Sequence, residues 1–395
     1  MTLIQDLKNL FRQNIREYGM YIAFLFIIVF FTITTKGIFL TPRNIGNLLN
    51  ATSYIAVLAV GMTLVIVIRH IDLSVGFLAG FLGAVAAIAM KYWGWPSYAT
   101  IPFVLVLGIF AGLITGFLVA RMKIPAFVAT LAGALVYRGL LQTVTAGTGT
   151  IIISDELFNA IGNGFIPNIP GIGILPGNNW TTLLLGLIAI ILFVRGEIVT
   201  RRKTQAYHFE VLPRGLFILK LVFISALIGA ITWVLAGYRG LTWAEVVLLV
   251  VVIIYSFITA KTVTGRHIYA VGGNPEAAEL SGISVKNVTY LVFGSMGLLT
   301  AVSAILYASW LRSATTIAGT LFELDAIAAA FVGGVAVSGG VGKVTGAVIG
   351  ALVMASLTNG MNLMGIDISM QYIVRGLVLA GAVIFDVTTR NAAKK

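Results

Sequence analysis

The sequence predicts an all-α polytopic membrane protein, and three features predict it together. Hydrophobic residues make up 59% of the 395 positions and charged residues only 10%, and mean hydropathy is +1.01. Soluble domains carry about 45–50% apolar and about 25% charged residues, so this composition holds too few charges to cover a water-exposed surface. About twelve spans of ~20 residues would leave roughly 155 positions for termini and connections. The chain therefore reads as a single transmembrane domain over 1–395 with short connections. A net charge of +12 would suit nucleic acid in a soluble protein. Here Lys and Arg flank apolar runs, which implies a lipid bilayer as the partner and no nucleic acid. The absence of cysteine excludes disulfides, iron–sulfur clusters, thiolate zinc sites and cysteine nucleophiles.

The first apolar run, 21–33, follows Lys8, Arg12 and Arg16 and lacks a small-residue cleavage site. It reads as a retained span with the N-terminus inside. Eleven more runs follow at about 51–68, 73–90, 98–120, 125–143, 180–195, 215–236, 243–260, 287–309, 324–338, 344–363 and 371–387. If all twelve cross, both termini are cytoplasmic. Only Lys36, Arg43, Lys91, Arg239 and Arg312 then fall outside, against eighteen Lys and Arg inside, while Arg138, Lys220 and Arg375 lie in spans. That asymmetry is what the positive-inside rule requires, and moving one crossing would scramble every later loop.

Two runs are weak. Segments 73–90 and 324–338 are glycine-rich and begin beside Asp72 or beside Glu323 and Asp325. Broken or re-entrant helices are tolerated at membrane depth only where protein or a water-filled cavity satisfies the freed backbone. If both are re-entrant the count falls from twelve to ten, and both become candidates for a pathway lining. Alternatively, the glycines serve close helix packing.

Two connections are long. Residues 144–179 contain no Lys or Arg and are turn-rich, an extracytoplasmic loop open to a soluble partner. Residues 196–214 are basic and cytoplasmic, suited to topological anchoring and anionic lipid. GGVGKVTG at 339–346 imitates a phosphate loop, yet the Walker pattern needs Gly where Val337 stands and Ser or Thr where Val344 stands. His70, His208 and His267 match no metal-ligand spacing, and no Gly-x-Ser-x-Gly is present.

The cytoplasmic loop 261–286 reads KTVTGRHIYAVGGNPEAAELSGISVK. Asn274 can cap a helix, Pro275 suits its first position, Glu276 its first turn, and Gly282 its end. The spacing predicts a two-turn helix over 275–281. So short a helix is marginal in water and needs packing against something. Ala277 and Ala278 permit close approach of a partner and Glu276 and Glu279 offer it carboxylates; packing on its own bundle is the alternative.

GRHIYAVGGNPEAAELSGI in this loop resembles the coupling-loop motif of the permease subunits of bacterial ATP-binding-cassette sugar importers, in the branch that handles ribose, xylose and related sugars. AVGMTLVIVIRHIDLSVGFLAG at 59–80, KIPAFVATLAGALVYRGLL at 123–141, ELDAIAAAFVGG at 323–334, GGVGKVTGAVIGAL at 339–352 and QYIVRGLVLAGAVIFD at 371–386 resemble the same family in the same order. The helical pair around 180–236 is most like the xylose-carrying members. The resemblance implies a homodimer in the bacterial inner membrane, two ATPase subunits beneath it that hold ATP and Mg, and a sugar-binding protein docking from outside. No cofactor is implied for this chain. By carry-over, Asn274, Pro275, Glu276, Ala277, Ala278, Glu279, Leu280 and Gly282 would couple to the ATPase. Where most relatives have an acidic residue before Ile-Asp-Leu-Ser, this chain has Arg69 and His70, which puts a role for charge there in doubt.

Ionisable groups inside spans suggest function. Arg138 and Arg375 are the deep cations, and one of them is expected to pair with Glu323 or Asp325. Sugar passage favours uncharged hydroxyl partners on discontinuous helices, which nominates Ser74, Thr130, Asn359 and Asn362 alongside Asp72 for the pathway. The expectation is a monosaccharide permease without an ATPase site of its own, carrying D-xylose or a related pentose or hexose. An ion-gradient-driven secondary transporter is the alternative and would need midplane carboxylates, whereas the acidic residues sit near span ends or in loops. A membrane enzyme would need a catalytic constellation that the sequence lacks.

Overall fold

The computed structural model describes residues 15–169, 177–209 and 211–393. Residues 170–176 of the 144–179 loop, and Lys8 and Arg12 of the first basic cluster, lie outside the described residues. The chain forms α1 (Ile15–Thr34), a 3-10 turn (Ile38–Leu40), α2 (Pro42–Val67), α3 (Val75–Lys91), α4 (Ser97–Ala120), α5 (Ala126–Thr145), β1 (Thr150–Ile152), α6 (Glu156–Asn163), α7 (Trp180–Ala206) and α8 (Arg214–Ala236). It continues through α9 (Trp243–Lys261), α10 (Val263–Gly273), α11 (Pro275–Leu280), α12 (Val285–Leu311), β2 (Ser313–Thr315), α13 (Phe322–Val332), α14 (Val344–Leu363) and α15 (Ile368–Ala393). In lipid a backbone must satisfy its own polar groups, which is why the long apolar runs become helices. Among the described residues nine helices are long and apolar enough to cross a bilayer, with 20–34 and α3 as shorter apolar helices.

The ends are fixed by short polar residues. Thr242 and Glu245 form a capping box on α9, and Asn179 accepts a hydrogen bond from the Thr182 amide at the start of α7. The core is an antiparallel pair, α2 with α12, buried on nearly all sides. The Ser303 hydroxyl donates to the Tyr54 carbonyl across it at 2.8 Å. Outside this pair, α4 packs along α12 through Gly108, Gly112 and Gly297, where a Cβ on any of the three would meet opposing backbone. Such backbone-to-backbone approach is the packing available where lipid tails are as apolar as leucine.

Of the two weak segments, 73–90 is helical from Val75 onward, whereas 324–338 is helix only to Val332 and irregular beyond it. α13 has 11 residues, about 16 Å at 1.5 Å per residue, against ~30 Å of hydrocarbon. It starts inside the bundle, because the Phe322 ring packs 5.1 Å from the ring of Tyr54, halfway along α2. Upstream, β2 pairs antiparallel with β1 at one end of the bundle, and the chain then passes Gly80 and Gly76 of α3 at Ala318 and Gly319. α3 likewise starts inside, after residues 68–74 have returned from the end of α2. The 324–338 run is thus not a continuous helix: it stops at Val332, and Gly334, Gly339 and Gly340 carry positive φ values of +86°, +78° and +71°, which glycine adopts freely.

α7 and α8 form a hairpin closed by Gly186 against Thr232 and by a Lys220–Glu197 ion pair at 2.9 Å. Few of its side chains are buried.

Candidate functional site

Three places gather most of the residues singled out by the sequence. The first is the break between α2 and α3. Asp72 accepts hydrogen bonds from the Ser74 amide at 2.9 Å and the Ser74 hydroxyl at 2.6 Å, and Thr130 donates to the Ile71 carbonyl at 3.3 Å. All three side chains are buried. They tie off the freed backbone at the positive end of α3, so Asp72, Ser74 and Thr130 form one cluster, apart from the cavity described next. Replacing Asp72 by Ala strands the Ser74 donors, and a buried donor left unsatisfied costs about 1–3 kcal/mol. Thermal unfolding of the purified protein should drop by several degrees for Asp72→Ala and less for Asp72→Asn, which keeps an acceptor; equal melting of both with the parent would refute the capping role. Glu323 lies beside this cluster, its carboxylate covering Gly76, and its Oε2 has no hydrogen-bond partner among the described residues.

The second place is a cavity of about 550 Å³ between α2, α12, α13, α14 and α15, within the ~300–1,000 Å³ of small-ligand sites. It occupies the half of the bundle toward β1 and β2, where Asn47 to Ile55 begin α2 and Trp310 ends α12. Of the expected pathway residues, Asp325, Asn359, Asn362 and Arg375 line it together. Arg375 Nη1 bonds Asp325 Oδ1 at 2.7 Å, joining the last helix to the first turn of α13. This is one of the pairings the sequence suggested. Arg138 instead lies over the Phe77 ring at 5.4 Å and faces outward.

Asn359 exchanges two hydrogen bonds with Asn44, at 2.9 and 3.1 Å, and Asn362 accepts one from Gln371 at 2.7 Å. Among the described residues Asp325 and Arg375 are the only charges in the lining, and they cancel each other. Sequence reading missed the aromatic wall. Tyr54 and Trp310 face the cavity, and their rings cluster with Tyr307 and Phe322, with centroids 4.9 to 6.3 Å apart. The signal available was Asn47, Ala51 and Tyr54, spaced by one helical turn each along α2.

The third place is α11. Asn274 accepts from the Ala277 amide at 3.0 Å with Pro275 at the first position. Gly282, at φ +84°, closes the end, where the Ile283 amide reaches the Ala278 carbonyl at 3.0 Å. Glu276, Ala277, Glu279 and Gly282 are exposed, and Leu280 is 90% exposed. Ala278 differs from expectation: at 4% exposure it turns into its own chain, because helical geometry sets it opposite the Leu280 face. Pro275 is half-buried. The helix thus packs on its own bundle by one face and offers another outward. Among the described residues no cluster of His, Asp and Glu could hold a metal ion.

A short helix that begins inside an otherwise apolar bundle and borders a polar cavity marks a membrane transport protein. The chain belongs to the permease family described as branched-chain amino acid transport system / permease component, which matches residues 44–383. As a multi-pass permease its place is the inner membrane. It is 40% identical over 378 residues to the xylose transport system permease protein XylH of Haemophilus influenzae, covering 96% of this chain and 98% of that one. XylH of Escherichia coli K12 is 40% identical over 380 residues, covering 96% and 93%. The ribose import permease protein RbsC of Haemophilus influenzae is 34% identical over 373 residues, covering 94% and 93%. No solved structure matches.

Proposed function

We propose that the chain is the permease subunit of an ATP-binding-cassette importer that passes an uncharged monosaccharide, D-xylose or a related pentose or hexose, into the cytoplasm. The relatives' names support a sugar. So does a cavity with no net charge, walled by aromatic rings and amides, which offers apolar faces and hydrogen bonds but nothing to hold an anionic solute. α10 and α11 lie on the cytoplasmic side and the β1–β2 end faces outward. With 312–321 and 68–74 completing α13 and α3, twelve crossings result, and the start of α1 and the end of α15 share the cytoplasmic side. Energy comes from ATP and Mg held by separate ATPase subunits, since this chain has no phosphate loop. A sugar-binding protein docks on the outer end, and a second permease copy completes the pathway.

The carrying observation is α11: a helix capped at both ends, held to the bundle by Ala278 and presenting Leu280 at 90% exposure. An exposed leucine with flanking carboxylates suits a cleft with an apolar floor and basic rim. In proteoliposomes holding the ATPase and binding protein, Leu280→Asp should reduce sugar-stimulated uptake at least tenfold while the variant elutes and melts like the parent. Full uptake by the variant, or uptake by this chain alone under a proton gradient, would overturn the proposal.

A further inference from the structure

We infer that Arg69 is a positioning residue that clamps the coupling projection to the irregular stretches before α3 and after α13, so that α11, residues 68–74 and residues 333–343 move as one body. This rests on the reading of α11 as the coupling helix and adds the part through which its motion reaches the pathway.

Three stretches of chain meet where α2 ends. The Arg69 Nε donates to the Gly272 carbonyl at 2.7 Å, and its Nη2 donates to the Gly273 carbonyl. These are the last two carbonyls of α10, immediately before Asn274 caps α11, and a helix end leaves such carbonyls without intrahelical partners. A cation there also meets the negative end of the helix dipole. The guanidinium holds two adjacent carbonyls because its donors are fixed in one plane; an ammonium cannot grip both in that geometry.

The third stretch is the loop after α13. The Gly340 amide donates to the Val67 carbonyl at 2.8 Å, and the Tyr269 hydroxyl of α10 donates to the Gly342 carbonyl. A Cβ at Gly272 would collide with the Val67 carbonyl, one at Gly339 with the Arg69 side chain, and one at Gly340 would come within 2.9 Å of Gly273. At Gly272 and Gly340 backbone therefore rests directly on backbone, and the Arg69 side chain fills the contact at Gly339. Arg69 itself has φ +65°, an uncommon conformation for a residue with a Cβ, and this turns the side chain from the end of α2 toward α10. From the junction one arm leads through 68–74 to Asp72 and α3, and the other leads to α13, whose first turn carries Asp325 at the cavity.

The chain lacks cysteine, so paired spin labels can be placed cleanly at Leu280 and Val341, which are 90% and 51% exposed. In nanodiscs holding labelled full-length protein diluted with an excess of unlabelled chain, so that a second copy adds no distances, the labelled pair should give one narrow distance distribution. Arg69→Ala should broaden it at least twofold, and Arg69→Lys should fall between; if the Ala variant fails to fold, Arg69→Gln takes its place. In reconstituted importer with labelled D-xylose, Arg69→Ala should lower sugar moved per ATP hydrolysed about tenfold while the ATPase subunit still co-purifies. An unchanged label distribution overturns the inference, as does an unchanged ratio of uptake to hydrolysis. Loss of ATPase binding with an unchanged distribution also overturns it, because Arg69 would then be a docking contact. Failure of the coupling reading is separate: it appears as full uptake by Leu280→Asp, whatever Arg69 does.

Discussion

Replacing Arg375 by Ala should lower sugar uptake by about ten- to a hundredfold, with a similar loss for Asp325→Ala, and the double variant should lose less than the product of the two. Removing one partner of a buried ion pair costs about 3–5 kcal/mol, because the other charge is left uncompensated. Here the side chains retain 20% and 26% exposure, which screens part of that cost, so about 1.4–2.7 kcal/mol, or one to two decades in rate, is the expected range. The pair joins α15 to the first turn of a helix that begins inside the bundle. The unpaired carboxylate of Arg375→Ala would therefore sit at the cavity beside Tyr54. Uptake by reconstituted importer for both single variants and the double variant forms a mutant cycle. Multiplicative losses would show that the two residues act independently.

The second large effect is on assembly. Gly297→Leu should yield no monodisperse protein in detergent, whereas Gly376→Leu should purify at parental yield. A Cβ at Gly297 would meet the Gly108 carbonyl and, at 2.9 Å, the Gly112 Cα, while one at Gly376 meets nothing within 4 Å. Overpacking a core normally costs about 1–3 kcal/mol because side chains can shift. At this crossing the obstacle is the main chain of α4, so the most extensively packed pair of helices, α4 and α12, would have to separate. Fluorescence-detected size exclusion of tagged variants checks this; a symmetric parental peak for Gly297→Leu would refute the tight crossing.

Much of the architecture was legible in the sequence because lipid enforces simple rules. Apolar runs became helices, and the asparagine–proline step set the start of α11 at Pro275, with an end at Leu280 one residue short of expectation. The early stop of the 324–338 run was also foreseeable from its glycines, whereas the 73–90 run is continuous helix from Val75. What could not be read was which polar residues share a cavity. In a soluble helix the apolar stripe marks the inward face, but a span is apolar all round, so nothing separated Thr130, which caps a break, from Asn359, which lines the cavity. Arg69 was hidden for a different reason. Its partners are backbone carbonyls about two hundred residues away in the chain, and carbonyls carry no sequence signature. The motif pointed to a departure from relatives at this position; only the fold supplies what the guanidinium holds.

The α7–α8 hairpin grips the remainder of the molecule along little of its length, and its flanks meet acyl chains instead of protein. Its posture is therefore set by the surrounding annulus of lipid. Changes in bilayer thickness or stripping by detergent should tilt or loosen these two helices before they disturb the glycine-locked centre.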